Sequence, residues 1–400
     1  MLLRLSNLPR DYAWGSSSAI SQLLGTPQTG KPQAELWLGA HPGSPAVVEI
    51  DGSPTLDQWI AQDPARALHN ATELPFLMKV LAAAEPLSLQ VHPSAQQAVE
   101  GFARENAAGI AIDAPERNYR DDRPKPELIV AVSDRFVALS GFRPLRESAA
   151  ELAAIAATDP RATTATAFIS ALGEILDENA ETTLAWVVET LLRGGPTAGA
   201  IVADFTAAAS TPVALEVAPA TAQTLRDLGR AYPSDPGVLI GALLNRVELS
   251  RGEALYLPAG NVHAYLEGLG IEVMSSSDNV LRGGLTTKHV DVEELLRVTD
   301  FSALTDSRLA GIARSETLTE FSPGVDDFVL FHFSADQRGD APPISLGVAG
   351  VALCIAGSVT LQGEKSEIVL ERGDACFITG DERSVVLSGS GELFLSTNRG

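Results

Sequence analysis

Two side chains able to bind a metal, Gln90 and His92, stand one residue apart in the stretch SLQVHPS, residues 88–94. Side chains of an extended strand alternate with period two, so Gln90 and His92 leave from one face while Val91 points into an apolar layer. Pro93 cannot extend a ladder and ends the strand at a rim. The same pattern describes a polar edge strand, so the pair needs partners from elsewhere. Glu127 stands where the charged, proline-bracketed YRDDRPKPE runs into apolar LIV. A carboxylate at the mouth of a buried strand is paired, protonated or metal-bound, because burying it bare costs too much. Left outside, it is an ordinary turn glutamate. Further on, Pro258-Ala259-Gly260 makes a turn that delivers His263 to the head of a strand. Glu272, Ser275, Ser276, Ser277, Asp278, Asn279 and Arg282 then form a polar run closed by Gly283-Gly284. Such a run between apolar strands suits the floor or rim of a pocket for a hydroxylated ligand. The remaining histidines carry less. His69 and His332 read as surface or packing residues, and His41 in GAHPG as structural support. His289 precedes a helix with Asp291 at its N-cap.

The elements that must position these residues fall into three textures. Residues 1–144 are rich in Pro, Gly and short apolar runs, and Leu128 to Val132 is apolar on both faces, as a buried strand requires. Residues 145–245 are alanine-rich and helical: Phe168, Leu172, Ile175 and Leu176 share one helix face, as do Leu184, Val187, Val188 and Leu191. Gly194-Gly195-Pro196 stops the second helix, and Leu225, Leu228 and Tyr232 mark a further one ended by Pro233. This stretch has no histidine and reads as a helical domain inserted into a β-protein.

β-texture returns at 246, with an internal echo. RGEALYLPAG (Arg251 onward) resembles RGDACFITG (Arg372 onward), each a turn followed by an alternating strand, as in paired jelly rolls. The alignment sets His263 opposite Ser384, so the second copy lacks that ligand. The expected units are 1–144 plus 246–322, 145–245, and 323–400. The last is short beside the roughly 100 residues of a full sandwich and is expected to borrow strands from the N-terminal fifty residues.

Composition excludes several classes. With 51 acidic against 29 basic residues and a formal charge of −22, the surface repels nucleic acid and anionic membranes. Cys354 and Cys376 are too few for a disulfide framework. No window reaches the roughly 20 apolar residues of a membrane helix, and the N-terminal MLLRLSNLPR lacks a signal peptide's apolar core. A cytoplasmic protein is the expectation.

The motifs YAWGS, AELWLGAHPGSP, SLQVHPS, KPE and HAYLEGLGIEVMSSSDNVLRGGLTTK make the chain resemble the type I mannose-6-phosphate isomerases over nearly its whole length. The resemblance implies a mainly β fold of two jelly-roll (cupin) domains with an inserted all-α helical domain, the C-terminal one without metal ligands. It implies a monomeric enzyme interconverting mannose 6-phosphate and fructose 6-phosphate by proton transfer through an enediol. One Zn²⁺ per chain is then held by Gln90, His92, Glu127 and His263. Arg282, Lys125 and Asp278 take catalytic positions; Lys79, Trp14, Ser88, Glu272 and Tyr265 take substrate positions, with Glu35 beside them. One departure stands out: relatives carry Asn-His before Lys-Pro-Glu, and this chain has Arg123-Pro124, so position 124 supplies no general base. Ser275, Gly283 and Thr287 depart without removing a ligand. Two rivals are another metal-dependent cupin enzyme, which gives no reason for the Arg282 block, and a non-catalytic sugar-phosphate-binding descendant, which gives none for the full ligand set.

Overall fold

In the computed structural model, which describes residues 1–69, 71–176 and 179–399, two ten-stranded antiparallel sheets lie against each other. Among the described residues, seven helices between Leu145 and Ala242 separate the strands of the first sheet along the chain. The architecture is two jelly-roll domains with an inserted helical domain.

The thirteen-residue strand His263–Ser275 organises the first sheet. Its Gly268–Ser275 half pairs with Phe76–Ala83, putting Glu272 opposite Lys79, and also with Glu127–Ala131, putting Met274 opposite Glu127. Its head pairs with Phe136–Phe142 and, at His263, with Gln90. Leu281–Arg282 lies on the far side of Gln90, with Arg282 opposite it. One long strand therefore gathers residues that are far apart in sequence. Glu127–Ala131 is buried throughout, which suits its unbroken apolar run.

The second sheet follows the same plan with Gly350–Gly363, Ala375–Ile378 and Ser384–Thr397. Leu2–Ser6 pairs with Ala375–Ile378, and Val47–Val48 extends the same edge. A shared apolar core joins Leu3, Leu5, Met78, Val80, Ile271, Leu353, Phe377 and Phe394 across both sheets. Each fully buried large apolar side chain there contributes about 1.5–3 kcal/mol.

The helical insertion packs its apolar stripes onto the outer face of the first sheet, where Phe168, Leu184, Phe205 and Leu228 join Val137, Leu139 and Leu266 in one cluster. Asn179 and Thr211 cap two of its helices by accepting the backbone N–H of Thr182 and Ala214. Arg193 ends one helix and Gly195 begins the next, with Pro196 in its first turn. Elsewhere, helix Ala95–Ala107 needs Gly101, because a Cβ there would overlap the Tyr119 ring. That close approach fixes the base of the loop running to Glu127.

The fold departs from the sequence reading in places. Ile312–Ala313 and Leu318–Phe321, expected with the unit ending at 322, pair into the second sheet beside Val329–Asp340. Gly195-Pro196, expected to stop a helix, open the next one. The strand in SLQVHPS covers Gln90–Val91 only, and His92 already lies beyond it, fully buried. Pro93 follows at once, so the ladder stops one residue earlier than expected.

Candidate active site

Glu127 closes the gap between two imidazoles. Its Oε1 lies 3.2 Å from His92 Nε2 and its Oε2 lies 3.4 Å from His263 Nε2. All three side chains are buried, and one ligand atom from each falls within 4.8 Å of the others. Both imidazoles are oriented from behind. His92 Nδ1 is 2.8 Å from the Asn279 carbonyl and His263 Nδ1 is 2.9 Å from the Asn261 carbonyl. A carbonyl can only accept, so each Nδ1 carries the proton and each Nε2 presents a lone pair. His92 Nε2 is buried without a hydrogen-bond partner. An orphaned imidazole nitrogen facing a carboxylate and a second imidazole is what a divalent metal satisfies, and this N/N/O set suits zinc. Gln90 sits in the ladder between His263 and Arg282 and can add an oxygen.

The charges around this cluster are tuned. Burial alone would raise the Glu127 carboxyl, but Lys125, 2.9 Å away, holds it well below the usual carboxylate range. Burial pushes His92 down to about 4, keeping the imidazole neutral. A second network lies alongside. Lys79 Nζ is 3.1 Å from Glu272 and 3.7 Å from Glu35, and Tyr265 OH donates to Glu272 at 2.9 Å. Burial raises Glu272 and, with the Glu272 charge, raises Tyr265 well above the usual phenol range. Burial would lower Lys79, yet Glu272 and Glu35 raise it, so it stays cationic. Glu35 is held in turn by Trp37 Nε1 at 3.0 Å.

Of the remaining expected residues, Trp14 packs against the inner cluster containing Leu81 and Tyr265 and stacks on Tyr12. Ser88 is half-buried between Leu87, whose N–H donates to Tyr265, and Leu89, whose N–H donates to Gly284. Asp278 is 45% exposed, and its backbone N–H donates to Asp121 at 2.9 Å. Ser277, from the same polar run, donates its hydroxyl to Asp121 at 2.8 Å.

Sequence reasoning missed four contributors. His41 Nδ1 accepts from Gly43 N–H at 3.1 Å, which leaves its Nε2–H facing Asp278 at 3.4 Å. Asp121 braces the Ser277–Asn279 loop. Burial and Arg120 lower Arg282, while burial, Arg282 and Arg120 lower Lys288, so three cations share one region. Each lies within or beside a quoted motif, but no spacing marked it out. His332 lies elsewhere, 2.8 Å from Glu392. Two open depressions, of about 570 and 530 Å³, lie away from these titratable groups, so chemistry rather than size identifies the site.

A jelly-roll rim carrying a buried His–Glu–His group, with lysines and an arginine in attendance, defines a metal-dependent cupin enzyme. Two family models match the chain: "Phosphomannose isomerase type I, catalytic domain" over residues 2–145, and "Mannose-6-phosphate isomerase, cupin domain" over residues 318–398. The chain belongs to the type I phosphomannose isomerase family and is an isomerase. It is 36% identical to mannose-6-phosphate isomerase of Escherichia coli (strain K12), over 98% of each chain. It is 31% identical to the enzyme of Rattus norvegicus, over 94% of this chain and 93% of that one. A zinc-bound mannose 6-phosphate isomerase structure matches with a TM-score of 0.85 at 36% identity, covering 100% of this chain and 99% of that one. The apo form from Salmonella typhimurium matches at 0.84 and 35%, with the same coverage. Among the described residues, no helix is long and apolar enough to cross a membrane.

Proposed function

We propose that this chain interconverts mannose 6-phosphate and fructose 6-phosphate through an enediol, with one zinc per chain held by Gln90, His92, Glu127 and His263. The observation that carries this reading is the orphaned His92 Nε2 facing Glu127 and His263, in a family with a zinc-bound member of the same specificity. Bound there, zinc supplies Lewis acidity toward the sugar oxygens.

The chain's own groups do the rest. Arg282 stabilises the oxyanion that develops between C1 and C2, since preorganised positive charge in a dry site serves a growing negative charge best. Arg120 and Lys288 share its region and suit the phosphate. Lys125 holds a sugar oxygen from beside Glu127, and Lys79 orders the Glu272–Tyr265 pair. Trp14 and Ser88 line the entry. The proton must move between C2 and C1. Glu272 is engaged by Lys79 and Tyr265, Lys125 is paired with Glu127, and Pro124 has no basic group. Asp278, a carboxylate with solvent access and His41 behind it, is left to carry the proton.

The same reading takes residues 1–144 with 246–322 as the catalytic unit, 145–245 as the helical insertion and 323–400 as the C-terminal unit, borrowing Leu2–Ser6. The pairing of Leu2–Ser6 with Ala375–Ile378 supports the borrowing. The acidic surface and the two free buried cysteines suit a cytoplasmic monomer acting on a small molecule. A coupled assay for fructose 6-phosphate, run with metal analysis before and after chelation, tests the function. Activity should vanish with the metal and return with stoichiometric zinc. Full activity in metal-free protein would refute the reading.

A further inference from the structure

Asn279 joins the metal side of the pocket to the loop that leads into Lys125 and Glu127. It is fully buried. Its Nδ2 donates to the Asp121 carbonyl at 2.9 Å, to Asp121 Oδ1 at 3.1 Å and to the Arg123 carbonyl at 2.9 Å. Its Oδ1 accepts the N–H groups of Arg120 at 2.7 Å and Asp121 at 3.2 Å. Its backbone N–H donates to Ser277 Oγ at 3.2 Å, and its carbonyl accepts His92 Nδ1–H at 2.8 Å. An amide has two hydrogens and two lone pairs, so this side chain is saturated. Every partner except Ser277 and His92 belongs to residues 120–123. The same segment ends at Pro124, whose ring fixes its own φ and confines Arg123 to extended conformations. With the Arg123 carbonyl held by Asn279, little freedom remains before Lys125.

We propose that Asn279 is a positioning residue: its side chain locks segment 120–123 while its backbone carbonyl faces His92 Nδ1, so that one residue couples the His92 tautomer to the approach of Glu127. The inference rests on the reading of His92 and Glu127 as zinc ligands. A residue behind a metal ligand typically alters affinity 10- to 100-fold when changed. Aspartate has asparagine's shape, but it would turn the amide donor into an acceptor facing a carboxylate and two carbonyls.

The test begins with zinc titration of the wild-type protein against a chromophoric chelator. Failure to bind zinc overturns the ligand reading itself. Given binding, Asn279→Asp should raise the zinc dissociation constant about 10- to 100-fold. The double variant Asn279→Asp/Asp121→Asn should recover part of that loss, because one amide–carboxylate contact re-forms with its roles exchanged. An unchanged dissociation constant in folded Asn279→Asp overturns the inference while leaving the zinc reading intact. Should the variants not fold, imidazole ¹⁵N NMR of zinc-free wild-type protein decides. His92 should carry its proton on Nδ1, and a proton on Nε2 overturns the inference.

Discussion

The sheet headed by His263 and the sheet headed by Ser384 are built alike and finished differently. In each, an Arg-Gly-acid turn leads into a four-residue strand, Ala254–Leu257 or Ala375–Ile378, and a long strand follows. Register extends the match to the proposed ligands. Gln90 pairs with His263, and Ser345 pairs with Ser384. Glu127 pairs with Leu257, and Gly350 pairs with Ile378, the residue matching Leu257. The second sheet thus has Ser345, Gly347, Gly350 and Ser384 where the first has Gln90, His92, Glu127 and His263. Its rim is closed by the chain itself: a Cβ on Gly347 would lie 2.5 Å from Asn398 Oδ1, and Val348 N–H donates to that oxygen. One scaffold carries a buried His–Glu–His group at its rim, and the other packs its own chain there.

That contrast can be broken from either side. The largest effect is expected from His263→Ser, which gives the first sheet the residue of the second. Zinc and activity should disappear together, activity by roughly a thousandfold or more, beyond what a merely supporting residue causes. Retained stoichiometric zinc by mass spectrometry would remove His263 from the ligand set. Arg282→Ala should leave zinc content intact while kcat falls about 100- to 1,000-fold; an unchanged kcat would exclude Arg282 from charge stabilisation. In the second sheet, Gly347→Ala should cost about 1–3 kcal/mol by overpacking against Asn398. Thermal or denaturant melts should record it with zinc affinity unaltered.

The smallest effect concerns the contact between the sheets. Glu392 of the second sheet pairs with Arg251 in the turn of the first and accepts from His332. Burial would raise Glu392, but His332 and Arg251 outweigh it and lower it from its usual 4.5. A depressed carboxyl stabilises the fold above its unfolded value and loses that contribution as pH falls through its folded value. Glu392→Gln should therefore cost about 1 kcal/mol at neutral pH. In zinc-free protein, the gap to wild type should close as pH drops below 4.5. A gap that stays constant into acid would mean the charge of Glu392 contributes nothing.

Much of the site was legible because its residue types are unusual where they stand. Gln-x-His before a proline, and a glutamate entering an apolar strand, are costly unless something uses them. The helical insertion was legible for the same kind of reason, since apolar stripes at helical spacing report a buried face directly. The bracing residues were not legible. Asp121 and Asn279 have ordinary side chains for a loop, and only the fold shows them saturated. His41 read as support, yet it also faces Asp278, a contact between residues more than two hundred positions apart. The matching of Glu127 with Gly350 was equally hidden, because neither lies in the repeated turn and strand.

The amino-acid sequence alone determined the chemistry on offer: two imidazoles, an amide, a carboxylate, lysines and one arginine, set in motifs that place each at the end of a strand. It also determined that the second turn-and-strand copy lacks a histidine, because residue types need no coordinates. Only the tertiary structure decided that His92, Glu127 and His263 meet, with both Nδ1 protons facing backbone carbonyls and one Nε2 left without a partner. The physical reason is that proximity across a sheet depends on strand register. Register is set by turns and packing over the whole chain, and no local spacing encodes it.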